Sequence, residues 1–292
     1  MAYRKVYPSE LRFNPKGSTL HVDFPSKTKY SPDLWGIKYL FDQKDKTNKI
    51  SEICVNGVIS KTMALRMCFL PYLFPDIRFH DAEGDKFITD AEDIINNIDK
   101  KYVTYESSKH PLDIRGTKDK LESQIEKELA DNLSKYIPDF SGGVTVIRQF
   151  PANIFRKPIS KTSRWTNKLW IDMISVNSAQ EVSPVELKVR GNIPLDLFTQ
   201  GLNYGIYCYL FEQHIRKNWF SAFGGAKQGK VTIYYVGEKF HPALIGRGGE
   251  KGITSLIRKN ELFNIVFVKI KVDDKNKCIK GNLEIIFDTR KL

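Results

Sequence analysis

The sequence predicts an α/β protein with a central mixed β-sheet flanked by helices, preceded by a smaller α+β region. Three observations carry that expectation. From about residue 118 onward, segments of helical period alternate with short β-branched runs. Two of those runs, 169–176 and 185–189, are separated by NSAQEVSP, whose turn chemistry suits antiparallel pairing. Residues 1–110 instead mix short β-like and apolar pieces with prolines and charged loops.

Taken in order, residues 21–24 and 50–59 are β-like and 65–74 apolar, and LPYLFPDIRF reads as a poor helix. Thr89-Asp90-Ala91-Glu92 reads as a capping box opening a short helix through about Asp99. YESSKHPLDIRGTKDK, residues 105–120, is polar and turn-rich, so two regions are expected, 1–110 and 111–292. Leu121, Ile125, Leu129 and Leu133 recur every four residues and predict an amphipathic helix over about 118–136. Gly142-Gly143 leads into a β-like run at 144–150, and the strand pair follows. Pro194 falls near the first turn of a helix reaching about Ile215. Residues 231–236 read as a strand, 253–259 as a short helix, and 263–272 and 283–287 as strands.

Composition narrows the partners. Lys and Arg number 46 against 34 Asp and Glu, a net +12 that favours a polyanion, nucleic acid first and an anionic membrane surface second. The four cysteines, Cys54, Cys68, Cys208 and Cys278, form no CxxC pair. That argues against a zinc or iron–sulfur site and suits a reducing cytoplasm. MAYRKVYPSELRFNPKG lacks the apolar core of a secretory signal, and no stretch approaches 18 apolar residues, so no membrane span is expected.

Chemistry concentrates in LWIDMIS and VELKV, the two strands expected to pair. Side chains alternate along a strand, so Glu186 and Lys188 project together, and pairing brings Asp172 beside Glu186. Two carboxylates plus water and phosphate oxygens suit Mg²⁺, which prefers oxygen ligands and dehydrates reluctantly. A neighbouring lysine supplies positive charge where a transition state develops negative charge. In FTQGLNYGIYCY, Gln200 and Tyr204 stand four apart and share a helix face, placed to hold a phosphate or orient the lysine.

This ordered set resembles the PD-(D/E)XK nuclease superfamily, and Gln-x-x-x-Tyr resembles a motif of its RecB-like branch. The resemblance covers about residues 118–236 and leaves the first 110 untouched. It implies a restriction-endonuclease-like core and hydrolysis of phosphodiester bonds, in DNA rather than RNA. Asp172 would bind the metal, although Ile171 stands where the motif has proline. Glu186 would be the second ligand and the Leu187 carbonyl a third, while Lys188 would position or activate water. Glu122 would complete the site from the preceding helix, with Glu126 as its rival. Gln200, Tyr204, Arg164 and Arg190 would face substrate. The implied cofactor is Mg²⁺, with Mn²⁺ able to substitute, and no iron–sulfur cluster. Residues 1–110 would select substrate or a protein partner, and cutting both strands would call for a homodimer. The alternative is an inactive fold that binds nucleic acid or scaffolds a nucleoprotein complex.

The flanks add positive charge. Residues 213–260 carry nine bases (Arg216, Lys217, Lys227, Lys230, Lys239, Arg247, Lys251, Arg258, Lys259) against Glu238 and Glu250, interleaved with Trp219, Phe220 and Phe223. Arg156, Lys157, Lys161 and Arg164 precede Trp165. Other signals fail on context. GGAKQGKV approaches a phosphate-binding loop, but Val231 replaces the magnesium-binding Ser or Thr and a strand follows it. DAEGDKFITDAE resembles a calcium loop except that Lys86 occupies the glycine position. GRGGEKG reads as a plain turn, and the five histidines show no ligand spacing.

Overall fold

The computed structural model describes residues 7–25, 28, 30–43, 49–105, 120–140, 145–166, 169–193, 195–220, 229–246 and 252–292. The chain divides into two compact units, each discontinuous in sequence. One gathers Met1–Asn96, Pro194–Thr199 and Phe240–Arg258, the other Asn97–Ile193, Gln200–Lys239 and Lys259–Leu292. Residues 106–119 of the expected linker, and with them the boundary at 110, lie outside the described residues. The division falls instead at Asn96, beside Asn97, whose φ of −130° interrupts a helix. Sequence continuity could not reveal that two later segments rejoin the first unit.

The first unit begins with a hairpin, β1 (Arg12–Lys16) and β2 (Thr19–Asp23). Then α1 (Pro32–Asp42), β3 (Glu52–Asn56), α2 (Lys61–Leu73), β4 (Arg78–Asp81) and α3 (Lys86–Lys101) alternate. The sheet order is β1-β2-β3-β4, with β1 antiparallel and β2, β3 and β4 mutually parallel. This is an alternating β/α arrangement, where an α+β region was expected, because each parallel step needs a crossover and α1 and α2 supply them. Leu20, Val22, Ile53, Val55 and Phe79 are buried on the helix side. There α1 lies close: a Cβ on Gly36 would stand 3.2 Å from methyls of Ile53 and Val22.

Two local expectations are corrected here. Leu70, Pro71, Tyr72 and Leu73 continue α2 despite the proline, since nine of the 13 residues of that helix are buried, Leu70 and Leu73 among them, and packing overrides propensity. The third helix starts at Lys86, one turn before the expected capping box. The Thr89 amide already donates to the Asp85 carbonyl at 2.8 Å, which places Thr89 inside the helix.

The second unit carries β5 (Tyr102–Val103), α4 (Lys120–Asp131), α5 (Leu133–Tyr136), β6 (Ile147–Pro151), β7 (Phe155–Arg156), β8 (Trp170–Val176) and β9 (Val182–Ile193). After them come α6 (Leu195–Leu210), whose first turn belongs to the first unit, α7 (Glu212–Trp219), β10 (Val231–Phe240) and β11 (Phe263–Lys269). The short strands β12 (Val272–Asp273) and β13 (Cys278–Ile279) precede β14 (Glu284–Asp288). Six strands form a mixed sheet ordered β14-β11-β10-β9-β8-β6. Strands β10 and β11 run parallel; β6–β8, β8–β9 and β11–β14 run antiparallel.

Both faces of this sheet are covered. Leu121, Ile125 and Leu129 of α4 cluster with Met173, Val185, Leu187, Val189, Tyr234 and Val236. The intervening residues of β10 meet α6, where a Cβ on Gly201 would stand 2.3 Å from the Tyr235 ring and one on Gly205 2.2 Å from Ile233. Two glycines four apart thus let α6 sit directly on the strand. The expected single helix over 118–136 breaks at Asn132, and the one expected to reach Ile215 breaks at Phe211; both residues leave helical φ/ψ. Among the described residues no helix is long and apolar enough to cross a membrane.

Candidate active site

Strand alternation sorts the predicted residues before any contact is considered. Met173, Val185, Leu187 and Val189 point into the α4 cluster, so Asp172, Glu186 and Lys188 start from the opposite face, the one α6 covers. Asp172 and Glu186 are each 4% exposed. The β8–β9 ladder runs from Val176/Val182 to Met173/Val185. Continued one step beyond Met173/Val185, the same register would set Asp172 across from Glu186. There Asp172 Oδ2 accepts the Leu187 amide at 3.0 Å, a side-chain bond in place of the next ladder bond.

Lysine 188 is fixed from α4. Its Nζ donates to Glu122 Oε2 at 3.1 Å, and the same oxygen takes the Val189 amide at 3.5 Å. Glu122 is in the first turn of its helix, where a carboxylate is favoured by the helix dipole. The choice between the two helix acids is decided by their partners. Glu126 is fully buried and bonded to Gln149 and, at 3.3 Å, to Arg148. Glu122 is therefore the acid that meets the Glu-x-Lys strand.

Gln200 and Tyr204 do share one face of α6, but with a different division of labour from the one expected. Gln200 Nε2 donates to Tyr204 Oη at 2.6 Å, and Tyr204 Oη donates to the Trp170 carbonyl at 2.6 Å. Tyr204 is 2% exposed. Burial, and after it the charges of Glu186 and Asp172, holds its phenol well above the usual range. It keeps its proton and braces the strand two residues before Asp172. Gln200 is half-buried.

The two arginines do not join this group. Arg190 has φ of +62°, donates its amide to Glu238 at 2.9 Å and pairs with Asp274 at 3.6 Å. Arg164 lies over the Phe155 ring, 5.7 Å from its centroid. Of the flanking bases, Arg216 is 4% exposed and ion-paired with Glu212, so it belongs to the interior. The aromatic residues among them are also structural: Trp219 packs 4.5 Å from the Phe150 ring, and Phe220 is 3% exposed. Arg258 falls in the first unit and Lys259 in the second, so the nine bases do not all belong to one compact unit. Lys227, Arg247, Lys251 and Phe223, with most of both glycine-rich stretches, lie outside the described residues. Arg156, Lys157 and Lys161 are exposed. The calcium-loop reading fails in geometry too, because residues 86–92 already belong to α3.

Strand and helix periodicity gave no signal for Arg148, Gln149 or the Trp170 carbonyl, which hold Glu126 and Tyr204 in place. For a cation, the donor set at Asp172 and Glu186 is oxygen-only, and buried carboxylates call for a positive partner. Among the described residues no three His, Cys, Asp or Glu side chains are gathered as an ion cage, and Glu122 pairs with Lys188 at 3.1 Å. Two carboxylates remain a sufficient protein contribution for Mg²⁺, which retains several waters.

Comparison with family models, curated proteins and solved structures finds no match for this chain.

Proposed function

We propose that this chain is a metal-dependent nuclease of the PD-(D/E)XK type, acting most readily on DNA. The observation that carries the reading is the pair of 4%-exposed carboxylates, Asp172 and Glu186, on adjacent strands, with Lys188 two residues after Glu186 on β9 and paired with Glu122. Asp172 and Glu186 would hold Mg²⁺, joined by the Leu187 carbonyl. Bound there, Mg²⁺ supplies Lewis-acid polarisation of the phosphate and a lowered water pKa. Lys188 contributes a positive charge toward the developing phosphorane, and Glu122 keeps that ammonium oriented. Tyr204 sets the position of β8 through the Trp170 carbonyl, while exposed Arg156, Lys157 and Lys161 offer phosphate contacts without sequence information.

Cleavage of labelled single- and double-stranded DNA, linear and circular, tests this with Mg²⁺, Mn²⁺ or EDTA. Metal-dependent cutting that disappears in Glu186→Gln and Lys188→Ala supports the reading. Wild-type protein that binds DNA but is inert in every metal would make it a scaffold instead.

A further inference from the structure

The first unit contains a pocket of about 330 Å³ that shares no residue with the site proposed above. Separate segments build it. Ile37, Leu40 and Phe41 fall on one face of α1. Ile50 enters just before β3, and Phe74 and Ile77 come from the turn between α2 and β4. That turn is closed by the Ile77 amide, which donates to the Phe74 carbonyl at 3.1 Å. Ile37 and Phe74 are 0% and 3% exposed, so the apolar floor is held by the core.

Two charged residues also line this pocket, Asp76 and Arg258, and both are exposed. The Arg258 amide donates to the Leu73 carbonyl at 2.9 Å, which fixes its backbone against the segment that carries Asp76. Size and charge together select the ligand. Ligand pockets span roughly 300–1,000 Å³, and the low end of that range suits a metabolite rather than a polymer. A docked helix would need apolar anchors repeated along a groove, whereas this lining is gathered around one cavity. A purely apolar ligand would use neither charge, and a simple anion would meet Asp76 as well as Arg258. A small molecule with both charges beside an apolar body matches all of these features.

We infer that the pocket binds an apolar α-amino acid as its zwitterion. Asp76 accepts from the ammonium, and the planar fork of Arg258 donates to the carboxylate. The side chain enters among Ile37, Leu40, Phe74 and Ile77. Burial of that side chain supplies affinity, and the two charges supply the choice between ligands.

The test is calorimetric titration of the full chain with L-phenylalanine, L-leucine and glycine. Hydrocinnamate and phenethylamine, each lacking one of the two charges, run alongside. Phenylalanine and leucine should bind saturably, and glycine at least about tenfold more weakly for want of an apolar side chain. Each single-charge analogue should bind about threefold to tenfold more weakly than phenylalanine, the scale of an exposed charge-assisted hydrogen bond. Asp76→Asn should weaken phenylalanine by that factor without weakening hydrocinnamate. Arg258→Gln should weaken it likewise without weakening phenethylamine. Both residues are exposed, so neither variant removes a core contact. Glu186→Gln should bind phenylalanine as the wild type does. No saturable binding of phenylalanine or leucine below about 10 mM overturns the inference. So does glycine binding as tightly as leucine, or phenylalanine affinity unchanged in either charge variant. Hydrocinnamate binding more tightly than phenylalanine overturns it too, and makes the pocket a site for an apolar anion.

Discussion

In the six-stranded sheet, Asp172 and Glu186 are 4% exposed between a layer built on α4 and one built on α6, whereas His21, Cys54 and His80 of the four-stranded sheet are half-buried on the face turned away from α1. Burying two like charges on neighbouring strands costs several kcal/mol unless something compensates, on the order expected for uncompensated ions. Half-exposed polar residues carry no such penalty. Under the proposed nuclease reading a bound cation would offset part of that cost at the first pair, while the second row carries none of it.

The sharpest way to break this contrast is to remove charge at each place. Glu186→Gln and Asp172→Asn should lower Mg²⁺-dependent cleavage by at least about 10²–10³-fold, the scale for losing one preorganised electrostatic partner. In EDTA the same variants should melt at or above the wild-type temperature, since a buried charge has become a neutral amide. His21→Asn should leave cleavage untouched. Thermal melts beside initial-rate assays check all three, and a large drop in melting temperature for Glu186→Gln would refute the energetic part.

Helix approach gives the next largest difference. Gly201→Ala places a Cβ 2.3 Å from the Tyr235 ring, so urea unfolding should show a loss of about 1–3 kcal/mol. Gly205→Ala meets the flexible end of Ile233 at 2.2 Å and should cost less. Tyr204→Phe strips a donor from the half-buried Trp170 carbonyl and should cost about 1 kcal/mol.

That tyrosine also sets a pH dependence. Its pKa in the folded chain lies well above its unfolded value of about 10, so the native state keeps a proton the unfolded state releases. The contribution is fully present below about pH 10 and is lost as pH rises beyond it. Tyr204→Phe should thus show a shallower alkaline decline than wild type in urea midpoints measured across that range. The smallest effect belongs to the first unit. Gly36→Ala meets Ile53 and Val22 at a tolerable 3.2 Å and gains helix propensity worth up to about 1 kcal/mol, so its net change should be near zero.

The two units also differed in how far they could be read in advance. Leu121, Ile125, Leu129 and Leu133 mark an exposed helix by their one apolar stripe, and all four are buried. Helix α1 is buried at Pro32, Asp33, Leu34, Trp35, Gly36, Ile37, Lys38 and Leu40, so it shows no stripe for periodicity to find. Helix α2 hides for the same reason and is further masked by Pro71.

Local sequence settled which side chains share a face, because a period of two or of 3.6 needs only near neighbours. Glu186 goes with Lys188, and Gln200 with Tyr204, on that ground alone. Tertiary structure alone decided that Glu122 rather than Glu126 meets Lys188, that Tyr204 is a brace, and that His21, Cys54 and His80 fall in one row. Those outcomes depend on strand register and on how closely helices approach the sheets. Both are set by the packing of residues distant in sequence, which no local pattern encodes.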